Sequence, residues 1–131
     1  MPRFAVLRHD PPPGSPRPVH WDFLLEDGDS LLTWALSEPP AAGRPIPAEP
    51  LPNHRPVYLD YEGPVSGNRG TVTRWDAGTF QWRQRGAQEL TVTLDGLVLC
   101  GEAVLTRADD LTLCWQFELR ATGGGRAERA H

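Results

Sequence analysis

Apolar and polar residues alternate most cleanly between His20 and Glu26. Trp21, Phe23 and Leu25 fall on one side of an extended chain, and His20, Asp22, Leu24 and Glu26 on the other. A period of two predicts a strand that buries its aromatic face and leaves the other face for chemistry. Shorter patterns of the same kind predict strands at Phe4 to Arg8, Ser30 to Leu36, Tyr58 to Glu62, Thr71 to Trp75, Thr79 to Arg83, Leu90 to Leu94, Leu97 to Leu105 and Leu111 to Leu119. Turn residues separate them at Asp27-Gly28-Asp29, at Asp76 to Gly78 and at Asp95-Gly96, the last being the strongest hairpin signal. No segment carries a helical period. About eight short strands predict an all-β fold, a small closed barrel of mostly antiparallel strands with proline-rich loops. A barrel is preferred to a sandwich because closure leaves no long strand edge exposed.

Proline punctuates this pattern twice. Five prolines in the eight residues Pro11 to Pro18 predict a stiff, extended loop. Seven more between Glu38 and Pro56 predict a surface loop or flap that carries His54. The 131-residue length suits one core. Residues 1–120 are expected to form that domain, and 121–131, with Gly123-Gly124-Gly125, a flexible tail that removes His131 from consideration. No apolar run approaches the roughly 20 residues of a membrane span, and the first residues lack the apolar core of a signal peptide. A cytoplasmic protein with no membrane partner is expected. Cys100 and Cys114 are read as small buried thiols without a function, and the five tryptophans as core residues.

Charge changes the picture only when divided along the chain. Residues 1–43 carry three arginines against six acids, residues 44–85 six against four, and residues 86–131 four against seven, so the middle third alone is basic within a net charge of −4. Such a field does not gather duplex DNA non-specifically, although a local arginine patch can hold one or two phosphates. Every strong cation is an arginine, a group suited to bidentate phosphate contacts, and genome composition explains the absence of lysine equally well.

The candidate chemistry lies at His9, His20 and Asp22. His20 and Asp22 are two apart on one strand, so an imidazole and a carboxylate point the same way. With His9 as the third donor, two histidines and one carboxylate can hold a divalent ion and leave positions for water or substrate.

His9, His20-Trp21-Asp22-Phe23-Leu24-Leu25-Glu26, Leu32-Thr33-Trp34-Ala35, His54 with Tyr58, Glu62-Gly63, Gly70-Thr71-Val72 and Trp75-Asp76-Ala77-Gly78-Thr79 follow one another in an order that resembles the 3′-phosphoesterase module of bacterial DNA ligase D. The resemblance covers about residues 3–119 and is expected to mark a stand-alone member. It implies a manganese-dependent β-barrel enzyme of DNA end repair. The implied reaction trims 3′-terminal ribonucleotides and removes 3′-phosphates to leave a 3′-hydroxyl. The implied partners are DNA 3′ ends on a primer–template and a separately encoded ligase or end-joining factor. By the same resemblance His9, His20 and Asp22 match the metal ligands, His54 the histidine on the scissile phosphate, and Tyr58 the active-site tyrosine. The triad itself also accepts zinc or cobalt.

Two departures stand out. The resemblance leads one to expect an arginine two residues after Asp22, where this chain has Leu24. Arg69, on a glycine-flanked turn, is the first candidate to replace that guanidinium, with Arg44 and Arg55 behind it. The first strand is expected almost at the first residue, so the family's N-terminal extension, which helps to hold the substrate end, is expected to be missing. Two other readings follow: a module of the same fold with weakened catalysis that binds DNA ends or a protein, and an iron oxygenase built on His20, Asp22 and His54.

Overall fold

The structure, a computed structural model, describes residues 1–107 and 114–120. Its strands are β1 (Arg3–Asp10), β2 (His20–Asp27), β3 (Ser30–Leu36), β4 (Ile46–His54), β5 (Gly63–Pro64), β6 (Thr71–Arg85), β7 (Glu89–Gly96), β8 (Cys100–Arg107) and β9 (Trp115–Arg120). They lie in the order β1-β2-β3-β4-β9-β8-β7-β6-β5. β1 also pairs with β6, so eight strands close into an antiparallel barrel, and the two-residue β5 pairs with the first residues of β6. The expected all-β barrel is thereby found. No helix among the described residues is long and apolar enough to cross a membrane.

Alternation along β1 and β2 divides the apolar residues into two layers. Phe4, Val6, Phe23 and Leu25 face the interior, where Phe23 meets Phe117 edge-on at 5.2 Å between ring centroids. Trp34 belongs to this core, and Trp21, Trp75, Trp82 and Trp115 pack at its margin, as expected of structural tryptophans. Ala5, Leu7 and Leu24 take the opposite, outer face and form a second cluster with Leu31, Leu59, Val65 and Val72. The chain between β4 and β6 covers that outer wall, contributing Leu59, Val65 and the rings of Tyr58 and Tyr61.

Several sequence expectations are corrected. The proline-rich stretch expected as a loop contains β4, which pairs with β3 from Ala48 to His54. Among the described residues its other edge pairs with β9 at Ile46–Ala48. Tyr58 to Glu62 is not a strand; Pro56 opens a single 3-10 turn, Pro56–Leu59. The turn expected at Asp76 to Gly78 is part of the unbroken 15-residue β6. Trp75 is an extra residue there, because Val6 pairs with Asp76 and Leu7 with Arg74, and this bulge bends the strand. The hairpin of β7 and β8 turns at Gly96–Leu99, so β8 begins at Cys100 rather than Leu97. Cys100 is buried, whereas Cys114 is exposed. The expected strand from Leu111 lies partly, and the expected tail wholly, outside the described residues.

Asp76 explains why the bulge is kept. Its buried carboxylate accepts the backbone N–H groups of Ala77, Leu97 and Val98 on Oδ1 at 2.8, 2.9 and 3.0 Å, and that of Leu99 on Oδ2 at 2.8 Å. A Cβ at Gly96 would stand 2.5 Å from Oδ2 and 2.7 Å from the ring of Phe4, so only glycine lets the carboxylate reach the turn. Asp76→Ala is expected to lower the unfolding free energy by about 3 kcal/mol, since hydrogen bonds to a charged acceptor are lost and donors are left without one. Urea denaturation measures this, with the exposed Leu97→Ala as a control that shifts it by less than about 0.5 kcal/mol.

Candidate metal centre and phosphate cavity

The register of β1 and β2 sets His9 opposite His20 and Leu7 opposite Asp22. Both histidines and the aspartate share the outer face of the wall, and one donor atom from each falls within 4.8 Å of the others. Asp22 is 2% exposed and His20 7%. The imidazole rings are 4.6 Å apart between centroids. His9 Nδ1 stands 3.1 Å from Asp22 Oδ2, and His20 Nε2 stands 3.1 Å from Asp22 Oδ1.

The second contact is short but misaligned, so among the described residues the buried Oδ1 accepts no hydrogen bond. A buried carboxylate oxygen without a donor, flanked by two imidazole nitrogens, fits a divalent cation. Burial pushes the Asp22 carboxyl up, and contacts with His20 and His9 outweigh it, holding its pKa at about 2. The hydrogen bond to Asp22 raises the pKa of His9 despite partial burial, and the carbonyl of Arg69 adds to the rise. His9 Nε2–H donates to that carbonyl at 2.7 Å. Nδ1 then either carries a second proton toward Asp22 or offers its lone pair to a cation, so proton and cation compete for one atom.

Glycine places that carbonyl. Gly70 has φ +97°, and a Cβ there would lie 2.0 Å from the Asp10 carbonyl, so the turn closes against the end of β1 only with glycine. Val65 N–H donates to Gly70 O at 2.8 Å and fastens the turn.

Two adjoining cavities open on the trio. One, of about 310 Å³, is bordered by His9, Asp22, His54, Arg55, Tyr58 and Arg69. The other, of about 360 Å³, is bordered by His9, His20, Asp22, His54 and Arg69, and by Ser15 and Arg17 of the proline-rich loop. Among the described residues Asp22 is the sole carboxylate on either lining, against three arginines. His54 ends β4, donates Nδ1–H to Pro52 O at 2.9 Å, and meets the Tyr58 ring edge-on at 5.7 Å. Tyr58 is set by the 3-10 turn and lies against Tyr61 at 5.6 Å. Arg69 turns its guanidinium back to Ser66, 2.7 Å from the carbonyl and 3.1 Å from the hydroxyl.

The structure therefore gathers seven of the eight residues singled out from sequence: His9, His20, Asp22, His54, Tyr58, Arg55 and Arg69. Arg44 is not among them; it borders neither cavity and pairs with Glu38. Leu24 shares the outer face but is wholly buried in the second cluster, beneath the covering segment. Glu62 accepts the N–H of Arg74 at 2.7 Å, and Glu26 that of Arg3 at 2.9 Å, which gives both carboxylates structural work. Arg17 was missed by sequence reasoning. Its signal was the Pro16-Arg17-Pro18 triplet, three residues before His20.

A barrel that carries two histidines and an aspartate beside an arginine-lined cavity offers donors suited to a divalent cation and guanidinium groups suited to a phosphate. The chain belongs to the DNA ligase D 3′-phosphoesterase domain family, which it matches over residues 13–107. The match contains His20, Asp22, His54 and Tyr58; His9 precedes it and joins the site through the pairing of β1 with β2. Comparison with curated proteins gave no match.

Proposed function

We propose that this protein is a manganese-dependent phosphoesterase of DNA 3′ ends, removing 3′-terminal ribonucleotides and 3′-phosphates so that a separately encoded ligase meets a 3′-hydroxyl. Membership of a phosphoesterase family supports the reaction class. The observation that carries the reading is the buried, donor-less oxygen of Asp22 facing His20 beside a cavity whose other charges are guanidinium groups.

His9, His20 and Asp22 would hold the ion; manganese, zinc and cobalt all accept such donors. When bound, it neutralises phosphate oxygens and lowers the pKa of water. The chain's own groups do the rest. Arg55 and Arg69 border the cavity on the His54 side and attract a phosphate to it. With Nδ1–H of His54 spent on Pro52 O, Nε2 is the atom left to exchange a proton with the leaving group, or to donate to a phosphate oxygen when protonated. The Tyr58 ring steadies that imidazole, and its hydroxyl serves to orient the phosphate.

The buried Leu24, where the resemblance leads one to expect an arginine, favours a second reading in which the fold binds DNA ends without turnover. A labelled primer–template ending in a 3′-phosphate or a single 3′-ribonucleotide decides between them. Product formed with manganese and abolished by a chelator supports the phosphoesterase. Tight manganese binding without product supports the binding module, and neither binding nor product overturns both.

A further inference from the structure

The proline-rich loop between the two histidines does more than connect strands. Arg17 stands between Pro16 and Pro18, whose rings restrict the backbone on either side, and its N–H donates to Ser15 Oγ at 3.2 Å. Ser15 N–H in turn donates to Pro12 O at 3.1 Å. This bracing holds the side chain over His20, where Nε–H donates to Nδ1 at 3.4 Å, and Nη2 lies 3.5 Å from the exposed Glu49 carboxylate. Both contacts are at the limit of a hydrogen bond. Arg17 borders the 360 Å³ cavity of the trio and a neighbouring groove of about 630 Å³, so it stands at the junction of the two.

His20 Nδ1 has two partners that exclude one another. It can accept from Arg17, or it can donate to the Pro18 carbonyl 3.5 Å away. Once Nε2 gives its lone pair to a cation, the remaining proton must be on Nδ1, and Arg17 loses its acceptor.

We propose that Arg17 is the phosphate-binding residue that stands in for the arginine missing at position 24, and that its guanidinium is released to the phosphate when His20 becomes a ligand. The inference rests on the phosphoesterase reading and deepens it by placing the terminal phosphate between Arg17 on the His20 side and Arg69 on the His54 side.

Fluorescence anisotropy tests it on the whole chain, with a primer–template ending in a non-hydrolysable 3′-methylenephosphonate against one ending in a 3′-hydroxyl. With manganese present, the wild type is expected to prefer the phosphonate end at least roughly tenfold. Arg17→Gln loses most of that preference, Arg17→Lys recovers part of it, and Arg83→Gln keeps it. The gap between wild type and Arg17→Gln narrows when manganese is withheld, and a gap undiminished without the ion overturns the release. Manganese titration gives Kd within about twofold for all four proteins. A wild type without preference overturns the phosphoesterase reading and the role of Arg17 together. A preference that survives Arg17→Gln overturns Arg17 alone. Loss of preference and of manganese affinity in equal measure makes Arg17 a support for His20 and likewise overturns its contact with phosphate.

Discussion

Asp22→Asn is expected to abolish 3′-end processing, by at least about a thousandfold, while leaving a folded barrel. The cation contributes several kcal/mol to phosphoryl transfer, and each 1.36 kcal/mol is tenfold in rate. Asparagine keeps the shape but removes the anion and turns an N–H₂ toward the space between His9 and His20. The substitution also has a cost in stability. Asp22 is almost wholly buried, and its pKa is lowered from 3.8 to about 2. The stabilisation that this implies is present above the unfolded value and is lost as pH falls through the folded one; it is on the order of 2 kcal/mol at neutral pH. A small domain with the usual 5–15 kcal/mol tolerates that loss. Circular dichroism checks the fold, manganese titration the ion and the primer assay the turnover. Activity within tenfold of wild type would remove Asp22 from the site.

The same trio sets a pH dependence. Asp22 stays ionised across the working range, so His9 governs the competition. Its folded pKa is raised above 6.5 by Asp22 and the Arg69 carbonyl. Manganese affinity of the wild type is therefore expected to weaken as pH falls through that raised value, and to level off above it.

The residues that sequence made legible are those whose neighbours are fixed by strand geometry alone. Alternation placed His20, Asp22 and Leu24 on one face, and the antiparallel register of β1 and β2 brought His9 across to them. The parts that were not legible depend on partners distant in sequence. Pro47, Pro50 and Pro52 disguise a strand because proline density reads locally as loop, whereas β4 is defined by its pairing with β3, a partner set by the fold. Asp76 reads as a turn residue, and it does hold a turn, but that turn is 21 to 23 residues further along the chain. Arg44 was singled out from sequence and Arg17 was not, although both are arginines of proline-rich stretches. Arg17 is braced over His20 and Arg44 pairs with Glu38, a distinction made by how each loop folds back.

Leu24 shows where resemblance and packing part. Placing an arginine there, to match the expected phosphate clamp, is predicted not to raise turnover and to cost about 3–5 kcal/mol of stability. The leucine side chain is fully enclosed by the outer cluster of Ala5, Leu7, Leu31, Leu59, Val65 and Val72, none of which carries a charge. Among those six residues a guanidinium finds no partner, and an uncompensated buried charge costs about that much. The alternative is to lift the 3-10 turn off the wall, which exposes Leu59 and displaces Tyr58 from its contact with His54. Either route loses more than a phosphate contact returns. Leu24→Met, which nearly conserves volume, should cost less than about 1.5 kcal/mol and keep activity. Chemical denaturation and the primer assay on Leu24→Arg, Leu24→Met and wild type separate these outcomes. A stable Leu24→Arg with faster turnover would mean that the covering segment yields easily and that the vacant clamp, rather than Arg17, limits the reaction.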